Sequence, residues 1–393
     1  MASTKLSKVF TKFFESEKAG GLILLGATIL SISIASSSWG SQWISIWHHH
    51  LDASFGGIKL DLSAEQWIND GLMAIFFLMI GLEIERELYV GELKEIKNAL
   101  LPIAAAIGGM LFPALLHYML NKGTIYQQGM GIPMATDIAF ALGMLSLVGK
   151  RVAPSIKIFL TALAIIDDLG AILVIAFFYS HGLSLMYLGA ALGIAVILIV
   201  LNKLRVMSLW AYLLPGIVMW YCMMQSGIHA TISGVIVAFC IPFTSGDENS
   251  PSYKLQHFLH NPVAFIILPL FAMANTCLPL VSGWYEGLTT SNSVGIIVGL
   301  FIGKQLGILL LCWWLIRRGW ATLPEGSDWK QLWGASILAG IGFTMSIFIA
   351  NLAFSEKEII DNSKFAILVA SFISCVIGLL LLRSGKALPL TDN

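Results

Sequence analysis

Asp167 and Asp168 stand side by side in LTALAIIDDLGAILVIAFF, Asp137 lies in GIPMATDIAFALG, and Lys304 lies in VGLFIGKQLGILLL, so four ionisable side chains sit in otherwise apolar runs. Asp70 and Glu83 lie within or at the end of a further apolar stretch. A charged side chain at the centre of a bilayer costs about 2.5–3.5 kcal/mol on insertion scales, which makes each such residue a candidate for function rather than packing. Neighbours on a helix point about 100° apart, so Asp167 and Asp168 cannot both face lipid without penalty, and at least one should line a hydrated cavity. Carboxylate oxygens are hard ligands suited to a small hard cation such as Na⁺ or Li⁺, and they also accept protons. Two cargoes competing for the same oxygens make a cation/proton exchange site.

The rest of the chain must hold those residues inside a membrane. Its 393 residues are 57% hydrophobic and only 12% charged, with a mean hydropathy of +0.82; a soluble domain carries about a quarter charged residues. Lys plus Arg equals Asp plus Glu at 23 each, so no net field points to nucleic acid or an acidic partner. The five cysteines are scattered in apolar runs and read as small core residues, which argues against a disulfide framework or a structural zinc site. Stretches of about 20 apolar residues, enough to span the hydrocarbon as a helix, occur near 20–38, 67–84, 99–120, 130–149, 156–180, 184–201, 207–224, 228–243, 262–281, 293–316, 331–354 and 364–383. The chain therefore reads as an all-α polytopic membrane protein of about twelve helices, a single transmembrane domain over 1–393. Residues 1–19 form an N-terminal segment, 39–66 the longest loop and 384–393 a tail.

With the N-terminus inside, eighteen cations fall in inside loops and tails and only Lys59, Lys122, Lys357 and Lys364 fall outside. That bias puts both termini in the cytoplasm and the 39–66 loop on the far side. Lys304 fits neither side. GIPMATDIAF (131–140) and GIGFTMSIFI (340–349) each interrupt an apolar helix with Gly, Pro or Thr, and they share Gly, Ile and a later Ile in register. The third to fifth and tenth to twelfth helices then read as equivalent units entering the membrane from opposite sides, an inverted repeat. Where two broken helices cross, paired positive or negative helix ends need a compensating charge, and Asp137 and Lys304 are the residues available.

These runs, with WINDGLMAIFFLMIGLEIERELYVGEL, FLTALAIIDDLGAI, SGIHATISGVIVAFCIPF, ILPLFAMANT and ILAGIGFTMSIFIANLAF, resemble the bacterial NhaA-type Na⁺/H⁺ antiporters in order over nearly the whole chain. That family is itself a standard instance of inverted repeats, so the repeat and the resemblance are not independent. The resemblance implies two broken helices crossed near the midplane, electrogenic exchange of two H⁺ per Na⁺ or Li⁺, pH regulation, residence in the bacterial inner membrane and a homodimer. It implies no cofactor beyond the transported ions. By the same resemblance Asp168 is the main cation ligand, Asp167 the second acid that pairs with Lys304 or gates access, and Lys304 a charge compensator and proton carrier. Thr136 and Asp137 match the first broken helix; Gly340, Gly342, Thr344 and Ser346 match the second. Glu83, Arg86 and Glu87 match a charged entry funnel that responds to pH, as do His229 and His257. Two departures stand out. Gln256 replaces a Glu of the pH-sensing cluster, and Gln305 replaces the Pro that usually follows the lysine.

His48, His49 and His50 read as a solvated outside segment, and many of the twelve Trp lie near the expected interfaces. An intramembrane aspartyl protease also uses two membrane acids, but those must face each other from different helices, and no GxGD is present. A passive cation channel would place its acids in a symmetric ring or filter loop.

Overall fold

The computed structural model describes residues 2–54, 59–179, 182–244, 249–280 and 283–384, with side chains from residue 18 onward except at 92, 96, 97, 150 and 177. The expected tail beyond Ser384 and the side chains of Lys5, Lys8 and Lys12 lie outside the described residues. Among the described residues, eight helices are long and apolar enough to cross a membrane: Lys18–Ala35, Ala64–Tyr89, Asn98–Asn121, Pro154–Ala176, Leu185–Lys203, Pro251–Asn275, Ser291–Arg317 and Lys357–Arg383. Two bent pairs, Ile125–Met134 with Ile138–Val148 and Trp329–Ala339 with Phe343–Ala353, occupy the fourth and eleventh expected stretches. The seventh and eighth are the shorter helices Trp210–Ser226 and Ile232–Cys240.

Helix starts follow their capping residues. Ser250, Thr290 and Asp328 each accept a backbone N–H three residues on, from Tyr253, Ser293 and Gln331, satisfying donors that a helix leaves unpaired at its first turn. The Ser250 cap moves the ninth helix's start from the expected 262 back to Pro251, because the polar run around Lys254, Gln256 and His257 hides the first turns from a hydropathy window. The described residues of the 39–66 loop carry secondary structure of their own. They form a helix, Gly40–His48, and an antiparallel hairpin that pairs His50 with Ser63, Leu51 with Leu62 and Asp52 with Asp61. His50 contacts Asp61 at 3.0 Å and His48 contacts Glu65 at 3.5 Å.

The chain forms two compact units. One comprises Met1–Leu25, Glu95–Ala171 and Ser282–Asn393, so it contains both runs of helix, broken helix, helix. Within it the Ile96–Asn121 helix packs backbone to backbone against the helix that carries Lys304. A Cβ at Gly108 would meet the Gly307 carbonyl oxygen at 2.2 Å, and one at Gly307 would meet the Gly108 oxygen at 2.0 Å. A π-helical turn, Gly299–Gly303, immediately precedes Lys304 and faces Pro113, whose Cα lies 2.8 Å from where a Gly303 Cβ would be. Such turns widen a helix by one residue and re-aim the side chains beyond them.

The other unit comprises Gly26–Lys94 and Ile172–Val281. Its tightest approach is between the Ala64–Tyr89 helix and the short Ile232–Cys240 helix, where Gly234 and Gly81 leave no room for a side chain. Asn69 and Asn275 join two of its helices through paired amides.

Gly307→Val should lower the unfolding midpoint in detergent by the equivalent of about 1–3 kcal/mol of overpacking. Gly189→Ala, which meets nothing within 4 Å, should leave it unchanged; equal effects would mean that the helix contact does not depend on glycine.

Candidate functional site

Breaking a helix inside a membrane releases backbone groups that lipid cannot satisfy, at a cost of about 2–7 kcal/mol for each one left bare. The first unit solves this by laying one break against the other. The first broken helix runs as a tight 3-10 turn over Ile125–Met134, extends through 135–137, and resumes at Ile138. The second stops at Ala339, passes through 340–342, and resumes at Phe343. The bends are 42° and 40°. Gly340 and Gly342 let the second break approach Leu300, since an added Cβ would lie 2.5 Å from the Leu300 oxygen at the first and 2.8 Å from its Cδ2 at the second.

Asp137 ties the two resumed halves together. Its Oδ1 accepts the Phe140 N–H at 2.9 Å, capping its own half-helix, while Oδ2 accepts the Thr344 N–H at 3.0 Å and the Thr344 hydroxyl. The Asp137 N–H donates to the Ile341 carbonyl at 2.7 Å. One carboxylate therefore sits at two helix N-termini, where a negative charge is favoured. The carbonyl ends are met by other groups. Lys304 Nζ donates to Met134 O, the Thr136 hydroxyl donates to Ala339 O at 3.0 Å, and Ser346 Oγ donates to Ile132 O at 2.7 Å. Phe343 N–H, released by the second break, finds Ser371 Oγ at 3.1 Å.

The acidic pair enters from the Pro154–Phe178 helix. Asp167 Oδ2 lies 2.9 Å from Lys304 Nζ and accepts the Thr136 hydroxyl at 2.7 Å. Asp168 also interacts electrostatically with Lys304. Thr136, Asp167, Asp168 and Lys304 are all fully buried, and Asp137 is 2% exposed, so both acids are closed to solvent in this conformation. The oxygens within reach of one another are carboxylate and hydroxyl, a donor set suited to a small hard cation.

The structure thus brings together Thr136, Asp137, Asp167, Asp168, Lys304, Thr344 and Ser346, with Gly340 and Gly342 as the room they need. It also adds Ser371 and the carbonyls of Ile132, Met134, Ala339 and Ile341. Backbone acceptors carry no residue-type signal, and Ser371 stands in an apolar helix where only the neighbouring break gives its hydroxyl a task.

The expected charged residues of the other unit make contacts among themselves. Arg86 contacts Glu87 at 2.9 Å and Glu83 at 3.9 Å, and it interacts electrostatically with His260, as does His257. His257 stacks on Tyr253 at 6.1 Å. His229 binds the Tyr179 carbonyl at 2.9 Å instead. Glu85, a buried acid on the same helix as Glu83, is not among the expected residues, since its position beside two matched acids masks it. Gln305, in the place usually held by Pro, donates to the Phe301 carbonyl and accepts the Trp333 indole N–H at 3.0 Å, linking the lysine's helix to the first half of the second broken helix.

Asp137→Ala should destabilise the folded protein in detergent by about 3 kcal/mol or more, because two backbone donors and a hydroxyl lose a charged acceptor. Asp137→Asn should lose less, and an unfolding midpoint unchanged in the alanine variant would show that the crossing holds without the carboxylate.

The chain matches the family described as "Na+/H+ antiporter 1" across residues 11–382. It is 57% identical over 379 residues to Na(+)/H(+) antiporter NhaA 1 of Flavobacterium johnsoniae, covering 96% of this chain and 97% of that one. It is 53% identical over 389 residues to Na(+)/H(+) antiporter NhaA of Cytophaga hutchinsonii, covering 99% and 98%. It is 57% identical over 381 residues to Na(+)/H(+) antiporter NhaA of Dechloromonas aromatica, covering 96% of each.

Proposed function

From the premise that the chain belongs to the Na⁺/H⁺ antiporter 1 family, we propose that this multi-pass membrane protein exchanges cytoplasmic Na⁺ or Li⁺ for external H⁺, with two protons moving per cation. The observation that carries this reading is the buried Lys304–Asp167 pair, 2.9 Å apart and directly beside Asp168 at the crossing of two broken helices. In the cation-free state Asp167 is charged and paired with Lys304, and Asp168 holds a proton, so the site is neutral. A cation arriving between the two carboxylates displaces the Asp168 proton. It also competes with Lys304 for Asp167, and the lysine gives up its own proton. Two protons have left for one cation bound, and the site has gained one net negative charge. Repeated each cycle, that difference makes the exchange electrogenic.

Asp168 is the main cation ligand in this scheme, Asp167 the acid shared between lysine and cation, and Thr136 an additional oxygen. Asp137 holds the two half-helix N-termini together, while Gly340, Gly342, Thr344 and Ser346 shape the second break. The complete burial of both acids supports a conformation between the two open ones, with access alternating by movement around a fixed site. Glu83, Arg86, Glu87, His229 and His257 carry the response to pH, which Gln256 alters in set-point. The termini lie in the cytoplasm of a bacterial inner membrane. A second copy pairs through the hairpin of the 39–66 loop, whose two strands each leave an outer edge.

Everted vesicles containing the protein should lose a respiratory pH gradient on addition of Na⁺ or Li⁺ and not K⁺, between pH 7 and 9; no Na⁺ response there would defeat the proposal. Exchange should fall as pH falls, because protons then occupy the carboxylates the cation needs. Asp168→Asn should abolish transport in a protein that still folds, and full activity would remove Asp168 from the site. Lys304→Arg should retain more transport than Lys304→Ala if positive charge is what the Met134 carbonyl and Asp167 require.

A further inference from the structure

The helix that carries Lys304 ends in WWLIRRGW, and its last turn takes no part in the proposed exchange. Arg317 lies over the Trp313 ring at 5.0 Å from guanidinium carbon to centroid, and Arg318 lies over Trp314 at 5.8 Å. Trp314 packs edge-on against Trp320 at 5.3 Å. Positions 313, 314, 317 and 318 fall within one arc of about 140° on a helix. Cys312 and Leu315, on the opposite side, are buried, so this arc faces away from the protein. The four side chains enclose an open cleft of about 390 Å³.

Neither guanidinium has a carboxylate within ion-pair distance among the described residues. The terminal carbonyls they might have capped are already taken by the backbone: Arg318, Gly319 and Trp320 N–H donate to Trp314, Ile316 and Leu315 O, with Gly319 in the left-handed conformation at φ +72° that closes the turn. A guanidinium held beside an indole keeps a planar fork of N–H donors, and that fork fits two oxygens of a phosphate. The depth fits as well. Ser291–Arg317 is long and apolar enough to cross a membrane, which would set tryptophans one turn from its end at headgroup level and the arginines at the phosphates.

We propose that Trp313, Trp314, Arg317 and Arg318 form a binding site for the phosphodiester of an anionic phospholipid. The net negative headgroup meets the two guanidiniums, and its upper acyl chain lies beside the indoles. The proposal needs only that this helix spans the bilayer, and does not depend on the ion-exchange reading.

The test uses the full chain purified in a neutral maltoside detergent, with retained lipid counted by native mass spectrometry during titration with phosphatidylglycerol, phosphatidylcholine or inorganic phosphate. At matched concentration the wild type should retain one phosphatidylglycerol more than the variant carrying Arg317→Gln and Arg318→Gln. Affinity at that site should fall roughly fivefold for each single substitution and roughly thirtyfold for both. Millimolar phosphate should not displace the lipid, and phosphatidylcholine should not replace it. Equal retention by wild type and the double variant, equal binding of phosphatidylcholine, or displacement by free phosphate would each overturn the assignment. Should the glutamine pair not purify folded, Arg317→Lys with Arg318→Lys keeps both charges and loses the planar donor edge. It should bind several-fold more weakly than wild type, and undiminished binding would overturn the guanidinium role.

Discussion

A polypeptide in hydrocarbon has no solvent to satisfy its backbone, and everything distinctive in this molecule stems from two places where it leaves the helix all the same. The freed N–H and C=O groups must find partners of the right polarity, and the two breaks supply them to each other. Positive ends converge on Asp137, and carbonyl ends receive Lys304, Thr136 and Ser346. The charges that make an ion site tolerable in lipid are thus the same charges that make the irregular backbone possible. Removing either would leave the other uncompensated.

That mutual dependence explains why small residues surround the crossing. Gly108 with Gly307, and Gly340 with Leu300, bring backbones to a distance that no side chain would permit. The π-helical turn before Lys304 and the twin breaks of the neighbouring helices lie in one unit, whereas the other unit gathers Glu83, Glu87 and His260 around Arg86. Asp167, Asp137 and Lys304 each meet at least two partners, as buried ionised groups must if they are to remain charged.

Much of this is legible in the chain because lipid leaves a coarse signature. Apolar runs of bilayer length locate the helices, and Asp137, Asp167, Asp168 and Lys304 stand out against them as the residues with a reason to be there. The repeated Gly–Ile punctuation marks both breaks. Relations across long separations in sequence are what such patterns do not carry. Nothing in GIPMATDIAF announces that Asp137 caps a helix 207 residues away, or that Ser371 accepts the N–H of Phe343. Helix ends are misjudged where charge runs into a span, as at Pro251, because hydropathy averages over a window while capping acts at single residues. The hairpin of the 39–66 loop escapes notice since its strands are only three residues each.

Thr136 has a hydroxyl with a single hydrogen and two acceptors in reach, the Asp167 carboxylate and the Ala339 carbonyl. It cannot serve both fully at once. In the proposed exchange, a cation that draws on Asp167 weakens the pull of that carboxylate on the hydroxyl, which then favours the carbonyl end of the opposite half-helix. The Thr136 O–H thus joins the acid to the backbone of the second break, a balance arm whose two pans are a side chain and a peptide.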